Sequence, residues 1–471
     1  MLIRNRRVLQ LTEGSGGLKR RDFLRVGSLG LGGMTLPGML AADASAASKK
    51  SLLTGKSVIF LFMHGGPSQT ETFDPKMTAP SGVCSATGEI DTAIPGVTFG
   101  STFKKLAPLA DKFSVVRSFR TGNGNHDIKP IVCPETFGAN LGSLYSRIAG
   151  SNHPQTGMPS NTMLYPRAVD ESRAKQTFNF GKFDATGPLG SAYAPFVPSG
   201  GGSLKKDMEL RLSRARLDDR RGLLNGLDGI KRQIDASGSL AGLDQFQQQA
   251  FDTILGGVAD AFDLSQEDAR TVAAYDTSSL ITPEQISKRW NNYKHYRDNA
   301  MTLGKLMLLA RRLCERGCGF VTVTTRFVWD MHADVNNATM QEGMQYCGWP
   351  FDHAVSTLIQ DIEARGLSDK ILLVCTGEMG RTPKINDRGG RDHWGGIAPL
   401  LLYGGGLTHG QVIGQSARDA GSPASSPQDI SNLVATIMHA LIDVGELRTV
   451  VGVPDEVSRA ITAAEPIPGL S

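Results

Sequence analysis

Three short stretches of this sequence combine residues able to hold a metal ion. Trp329-Asp330-Met331-His332 follows one apolar run, Gly377-Glu378-Met379-Gly380-Arg381-Thr382 follows a second, and Arg391-Asp392-His393-Trp394 precedes a third. Each offers a carboxylate, an imidazole or both, the donor mixture that borderline divalent ions such as zinc or manganese accept. A single Asp-His pair commonly ends as a hydrogen-bonded loop residue. Three groups at three strand ends instead point to one metal site. His126, in the polar loop Gly122 to Pro134, could serve as nucleophile, proton donor, metal ligand or plain loop histidine. The Arg381 guanidinium could grip an oxyanion through two parallel bonds or pair with a nearby acid. Ser68 and Thr70 could supply a hydroxyl or stabilise a turn. Trp329 and Trp394 could stack on a sugar or pack in the core. His153, His295, His353, His409 and His439 sit in no such group and read as structural.

Buried strands must carry these groups. Ser57 to Met63 is a continuous apolar run ending at His64-Gly65-Gly66-Pro67-Ser68, a strand-to-loop junction of the kind where α/β proteins place ligands. Phe113 to Val116, Gly319 to Thr325, Lys370 to Thr376 and Ala398 to Tyr403 read as further strands. Helical spacing covers Thr102 to Asp111, with Leu106 and Leu109 inward, then Phe351 to Arg365 and Pro427 to Leu441. Pro283 marks the start of another long helix reaching Arg316. Strands alternating with helices predict an α/β fold, a mainly parallel sheet with helices on both faces. Charged residues, Gln and Leu at helical spacing predict a helical insertion over about 204–317.

The chain has 471 residues, 40% of them hydrophobic, which is enough for one large domain with an insertion. Its 50 basic and 46 acidic residues leave a net charge of +4 without a basic stripe, which excludes a dedicated nucleic-acid binder. Six cysteines with no CxxC pair exclude a disulfide scaffold and a zinc ribbon. At the N-terminus, Lys19-Arg20-Arg21-Asp22-Phe23-Leu24-Arg25 precedes a weakly hydrophobic, glycine-rich stretch and then Ala44-Ser45-Ala46-Ala47. This layout predicts a twin-arginine export signal over 1–47, with the export machinery as partner and a periplasmic or cell-surface destination. The apolar stretch is too short to span a membrane, which needs roughly 20 apolar residues. The mature domain would then occupy 48–471, without an integral membrane span.

Gly65-Gly66-Pro67-Ser68 with Phe73-Asp74-Pro75-Lys76, Thr376 to Pro383, and Gly390-Arg391-Asp392-His393-Trp394 together resemble the "domain of unknown function 1501" family. The likeness covers essentially the whole mature chain. That family is sulfatase-related, and the wider resemblance is to the alkaline phosphatase superfamily. The resemblance implies an alkaline-phosphatase-like fold and a divalent metal, zinc first, with manganese, calcium or magnesium as alternatives. It also implies hydrolysis of a phosphate or sulfate ester of a small molecule or glycan. Asp330 and His332 match the superfamily's Asp-and-His loop, and Asp352 its early helical Asp. Glu378 keeps a carboxylate where Met379 replaces an imidazole, and His393 matches the last metal histidine. Asp392 beside it would restore the lost ligand, and Asp74 would stand in for the Asp that normally ends the first strand. The expected metal set is therefore Asp74, Asp330, His332, Glu378, Asp392 and His393, with His126 and Arg381 as catalytic candidates. The formylglycine pattern Cys-x-Pro-x-Arg is absent, since Cys133-Pro134 lacks the spacing and the arginine. A metal- or glycan-binding protein without catalysis is the competing expectation.

Overall fold

The computed structural model describes residues 52–175, 180–198, 258–450 and 452–470. The export-signal segment and residues 204–257 of the expected insertion lie outside the described residues. The frame is a seven-stranded sheet of β1 (Ser57–Phe62), β2 (Ser114–Val116), β3 (Asn161–Leu164), β4 (Phe320–Thr324), β5 (Ile371–Thr376), β8 (Leu400–Gly404) and β9 (Gln411–Ile413). A separate two-residue ribbon pairs β6 (Gly380–Arg381) with β7 (His393–Trp394). Across the large sheet the order is β9-β2-β8-β5-β1-β4-β3. Every pairing is parallel except the two made by β8, which runs against both β5 and β2. The expected mainly parallel sheet is present, with one strand reversed.

That reversal matters for the site. Leu400, the first residue of β8, stands opposite Thr376, the last residue of β5. The segment entering β8 therefore lies at the same edge as the segments leaving β1, β4 and β5. Residues before one strand and after three others can meet there, in the crevice at the strands' carboxyl ends.

Alternation within the strands divides the core into two layers. Ile59, Leu61, Val323 and Leu373 face one way, against α2 (Tyr293–Glu315) and α3 (Trp349–Ala364). Their neighbours Val58, Phe60, Leu372 and Val374 face the other, against α1 (Leu141–Ala149) and α4 (Ile430–Leu441). Both sheet faces are covered, which is why the central strands read as unbroken apolar runs.

Some sequence expectations shift. The long helix begins at Tyr293, ten residues after Pro283, because turns and bends fill the interval. It packs directly on β1, β4 and α3, so this part of the expected insertion belongs to the sheet's covering layer. The predicted helix at Thr102 to Asp111 shortens to a 3-10 turn over Ala107–Lys112. All six cysteines are free. No helix among the described residues is long and apolar enough to cross a membrane.

Candidate metal centre

Asp330 is the hub of the site. Its Oδ1 lies 3.1 Å from His393 Nε2 and 3.4 Å from His126 Nε2. Its Oδ2 lies 3.2 Å from His332 Nε2 and accepts a 3.0 Å bond from Asn337 Nδ2. One donor atom each from His126, Asp330 and His393 falls within 4.8 Å of the others. Ligands held about 2.0–2.2 Å from a tetrahedral zinc ion stand roughly 3.3–3.6 Å apart. The two imidazole–carboxylate distances around Oδ1 are close to that spacing. The three donors come from distant parts of the chain, so the fold, and no local helix or hairpin, brings them together.

Each loop is fixed by an identifiable cause. After β1 the chain turns sharply at Gly65, φ +111°, where an added Cβ would lie 2.4 Å from the Asp330 backbone nitrogen. Only glycine permits that approach, which seats the Asp330 loop. The segment bearing His126 hangs on Gly395, whose carbonyl accepts from Thr121 and Gly122 at 3.2 and 3.0 Å. A Cβ there would meet Asn123 backbone atoms at 2.2–2.4 Å. In the ribbon, Arg381 stands opposite His393, so both side chains emerge on one face and reach Asp330.

Glu378 and His126 form a second link. His126 Nδ1 lies 2.9 Å from Glu378 Oε1, and Glu378 accepts the Gly65 N–H at 2.9 Å. The geometry assigns the proton to Nδ1 and leaves Nε2 toward Asp330. A carboxylate on the far nitrogen is the usual means of aiming a metal-ligating imidazole. Glu378, expected as a ligand, has the geometry of the group that orients one. Burial disfavours charge on His126, but hydrogen bonds to Asp330 and Glu378 reverse this and raise its pKa to about 9. Burial also opposes ionisation of Asp330, yet Arg381 and the three imidazoles outweigh it and hold the carboxyl well below its usual range.

Arg381 is fully buried and committed. Four of its five N–H groups go to Gly65 O, Gly66 O, Arg391 O and Asp330 Oδ1. This geometry suits holding Asp330 in place and leaves little of the guanidinium for an oxyanion. Asp392 points away, because consecutive side chains of an extended strand face opposite sides. Its carboxylate accepts from Asn386 Nδ2 at 3.1 Å and is exposed. Asp74 is also elsewhere, paired with Lys76 at 3.4 Å and Arg117 at 3.6 Å and bonded by Ser416. Asp352 accepts the Lys105 and Leu106 N–H groups instead of joining the cluster. Asp330, His332, Glu378, His393, His126 and Arg381 are thus brought together, and Asp74 and Asp392 are not.

Two contributors carried little sequence signal. Asn337 touches both Asp330 and His332, at 3.0 and 3.1 Å. His64 lies two residues past β1 behind Phe327, ring centroids 3.8 Å apart, and burial pushes its pKa down to about 4. Its strand-end position was the available clue. Phe327 has φ +39°, a costly conformation for a bulky residue that is typical of functional loops. Its ring also contacts His126 and Phe180, at 5.0 and 4.2 Å.

The chain belongs to the family described as "Protein of unknown function (DUF1501)", whose model matches residues 55–451. No curated protein matches it in sequence. Among solved structures it is similar to the PsFucS1 sulfatase from Pseudoalteromonas sp., at 11% identity and TM-score 0.33, covering 85% of this chain and 70% of that one. It is also similar to the lipoteichoic acid synthase LtaP from Listeria monocytogenes, at 10% identity, TM-score 0.27 and coverages of 85% and 77%. An alkaline phosphatase from the Antarctic bacterium TAB5 aligns at 12% identity, TM-score 0.29 and coverages of 85% and 98%. Likenesses this distant carry no residue roles, so the chemistry rests on the site itself.

Proposed function

We propose that this protein is an exported, metal-dependent hydrolase of phosphate or sulfate esters. The observation that carries the reading is the convergence of His126, Asp330 and His393 within 4.8 Å, with His126 backed by Glu378. This donor set, two imidazoles and a carboxylate, fits zinc, and manganese is a second candidate. A three-ligand site keeps coordination positions open, as catalytic zinc sites do. A divalent ion held by these residues would polarise an ester oxygen and lower the pKa of an attacking hydroxyl or water.

The protein's own share can be followed from its contacts. Asp330 supplies the negative charge, and Arg381 holds it ionised and oriented. Glu378 keeps the His126 Nδ1 proton in place, so Nε2 offers its lone pair to a cation once that nitrogen deprotonates. His332 lies against the other oxygen of Asp330, within reach to give or take a proton during ester cleavage. Phe180 is about 40% exposed and its ring lies 5.1 Å from His126, and the Phe327 ring stands 5.0 Å from the same imidazole, so an apolar wall stands beside the donors.

The decisive experiment measures bound metal in purified mature protein by elemental analysis and then assays a panel of phosphate and sulfate esters. Stoichiometric metal with turnover that chelation abolishes supports the reading. Stoichiometric metal without turnover on any ester would favour a non-catalytic metal-binding protein, and no retained metal would refute both. Export rests on the sequence alone. Replacing Arg20 and Arg21 with lysine should leave the precursor in the cytoplasm, and unchanged recovery outside the cytoplasm would refute the twin-arginine assignment.

A further inference from the structure

Away from the Asp330 cluster, a groove of about 310 Å³ runs beside Trp349. A smaller one of about 170 Å³ adjoins it, sharing Thr102, Lys104 and the same indole. Trp349 is the first residue of α3 and is 37% exposed, whereas Trp329 is 4% exposed. Immediately before it, Met344–Gly348 forms a single π-helical turn, a local widening found frequently at functional sites. Gln341, Gln345 and Trp349 follow at intervals of four and share one side of this helical stretch.

Two of the groove's polar groups are available: the Gln345 amide is exposed and has no hydrogen-bond partner among the described residues, and Lys104 has no ion-pair partner there. Gln341 Nε2 reaches Ala86 O at 3.4 Å, and the Thr87 and Ser101 hydroxyls donate to Glu71 and to Thr87 O. The opposite wall is held rigidly. Glu71 accepts the N–H groups of Ala86 and Thr87 at 3.0 and 3.2 Å and pairs with Arg391 at 3.0 Å, two residues before His393. The wall is therefore preorganised by the same ion pair that anchors the strand bearing His393.

The chemistry selects among ligands. An exposed indole offers a flat apolar face to the C–H face of a pyranose, while a free amide such as that of Gln345 both donates to and accepts from sugar hydroxyls. Lys104, with Lys105 beside it, favours a negative substituent. A nucleic acid is less well served, since among the described residues neither groove has an arginine or a second large aromatic in its lining to track phosphates and sandwich a base. We propose that this double groove is a glycan subsite, stacking a sugar ring on Trp349 and taking an acidic substituent at Lys104. The proposal does not depend on ester hydrolysis, because binding is read without turnover.

The test is isothermal titration of the full chain with four probes: an alginate hexasaccharide (carboxylated), a chondroitin sulfate hexasaccharide (sulfated), maltohexaose (neutral) and a short oligo-dT. At least one acidic hexasaccharide should bind about tenfold more tightly than maltohexaose and oligo-dT. Trp349→Ala should weaken that binding by about tenfold or more, the scale of one lost ring stack, and Trp349→Phe should restore most of it. Lys104→Ala should abolish the preference for the acidic probe, and raising salt should do the same. Circular dichroism on each variant separates loss of the site from loss of the fold. The proposal is overturned by no acidic probe binding, by equal affinity for maltohexaose, by tighter binding of oligo-dT, or by folded Trp349→Ala binding like the parent.

Discussion

Two clusters of charged side chains use nearly the same residue types for different ends. At the α2–α3 contact, Arg311 is almost wholly buried and faces Glu267 at 2.9 Å, Glu315 at 2.5 Å and Asp361 at 3.0 Å. Arg312 and Arg365 complete the set, on Glu267 at 2.9 Å and on Asp361 at 2.7 Å. Each of these carboxylates faces a guanidinium, which keeps its proton and cannot ligate a metal. At the sheet edge, Asp330 faces one guanidinium and three imidazoles. An imidazole can release its proton and offer a lone pair to a cation. Charge density alone therefore does not mark a site. The identity of the positive partner decides whether a cluster is a staple or a receptor.

Removing each hub separates the two clusters most directly. Asp330→Asn should weaken metal binding by more than about 100-fold, since it removes a ligand charge where orienting partners alone cost about 10–100-fold. Its thermal unfolding should stay cooperative. Arg311→Met should do the reverse, keeping metal stoichiometry at low temperature while lowering stability by about 3 kcal/mol, the scale for breaking a buried ion pair. Elemental analysis after dialysis and urea unfolding read the two quantities separately. Metal loss in Arg311→Met with retention in Asp330→Asn would invert the assignment.

A smaller effect sharpens the distinction between ligand and orienting group. Glu378→Gln keeps an oxygen for the Gly65 N–H and for His126 Nδ1 but loses the charge. Metal affinity should fall by about tenfold, against the larger loss from His393→Ala, while His409→Ala should change nothing. His409 bonds Gly404 O at 3.0 Å and has no place in the Asp330 cluster. An equal loss in Glu378→Gln and His393→Ala would make Glu378 a direct ligand, as its sequence position first suggested.

The sequence made the strand-end logic visible, and the three residues that logic singled out, Asp330, His332 and His393, lie together in the structure. Long central strands are unbroken apolar runs, so their ends, and the polar residues beyond them, are easy to locate. The edge strands were harder. Asn161–Leu164 and Gln411–Ile413 are four and three residues long, too short for a pattern of period two. Direction was illegible as well, because the reversal of Leu400–Gly404 depends on its pairing with Ile371–Thr376. Asp392 and Asp74 were misjudged for a common reason. Proximity in sequence to a residue of the cluster does not fix which way a side chain points, and strand alternation turned Asp392 outward. Arg381 lies in the cluster, but the carbonyls that consume its donors come from Gly65, Gly66 and Arg391 and could not be anticipated from its own neighbourhood.

Asp352 supplies a third kind of buried carboxylate. Among the described residues neither a guanidinium nor an imidazole holds it ionised. Its oxygens accept backbone N–H groups of Lys105 and Leu106 at 2.8–3.1 Å. Burial outweighs those bonds and the nearby lysine charges, pushing its pKa up to about 6. In the unfolded chain the same group ionises near 3.9. Between these values the folded protein keeps a proton that the unfolded chain has released. The resulting stabilisation is fully present below about pH 4 and is lost as pH rises through about 6. Two pK units correspond to about 3 kcal/mol, an upper figure because the group is not entirely sealed from water. Asp352→Asn cannot titrate, yet its Oδ1 still accepts from the backbone. The variant-minus-parent difference in urea-unfolding free energy should therefore climb in favour of the variant between about pH 4 and 6, by up to about 2–3 kcal/mol, and then level off. Groups common to both proteins cancel in that difference. Parallel pH profiles would show Asp352 to be an ordinary ionised carboxylate, and a difference falling with pH would mean that the backbone bonds, like Arg381 at Asp330, are strong enough to hold the charge.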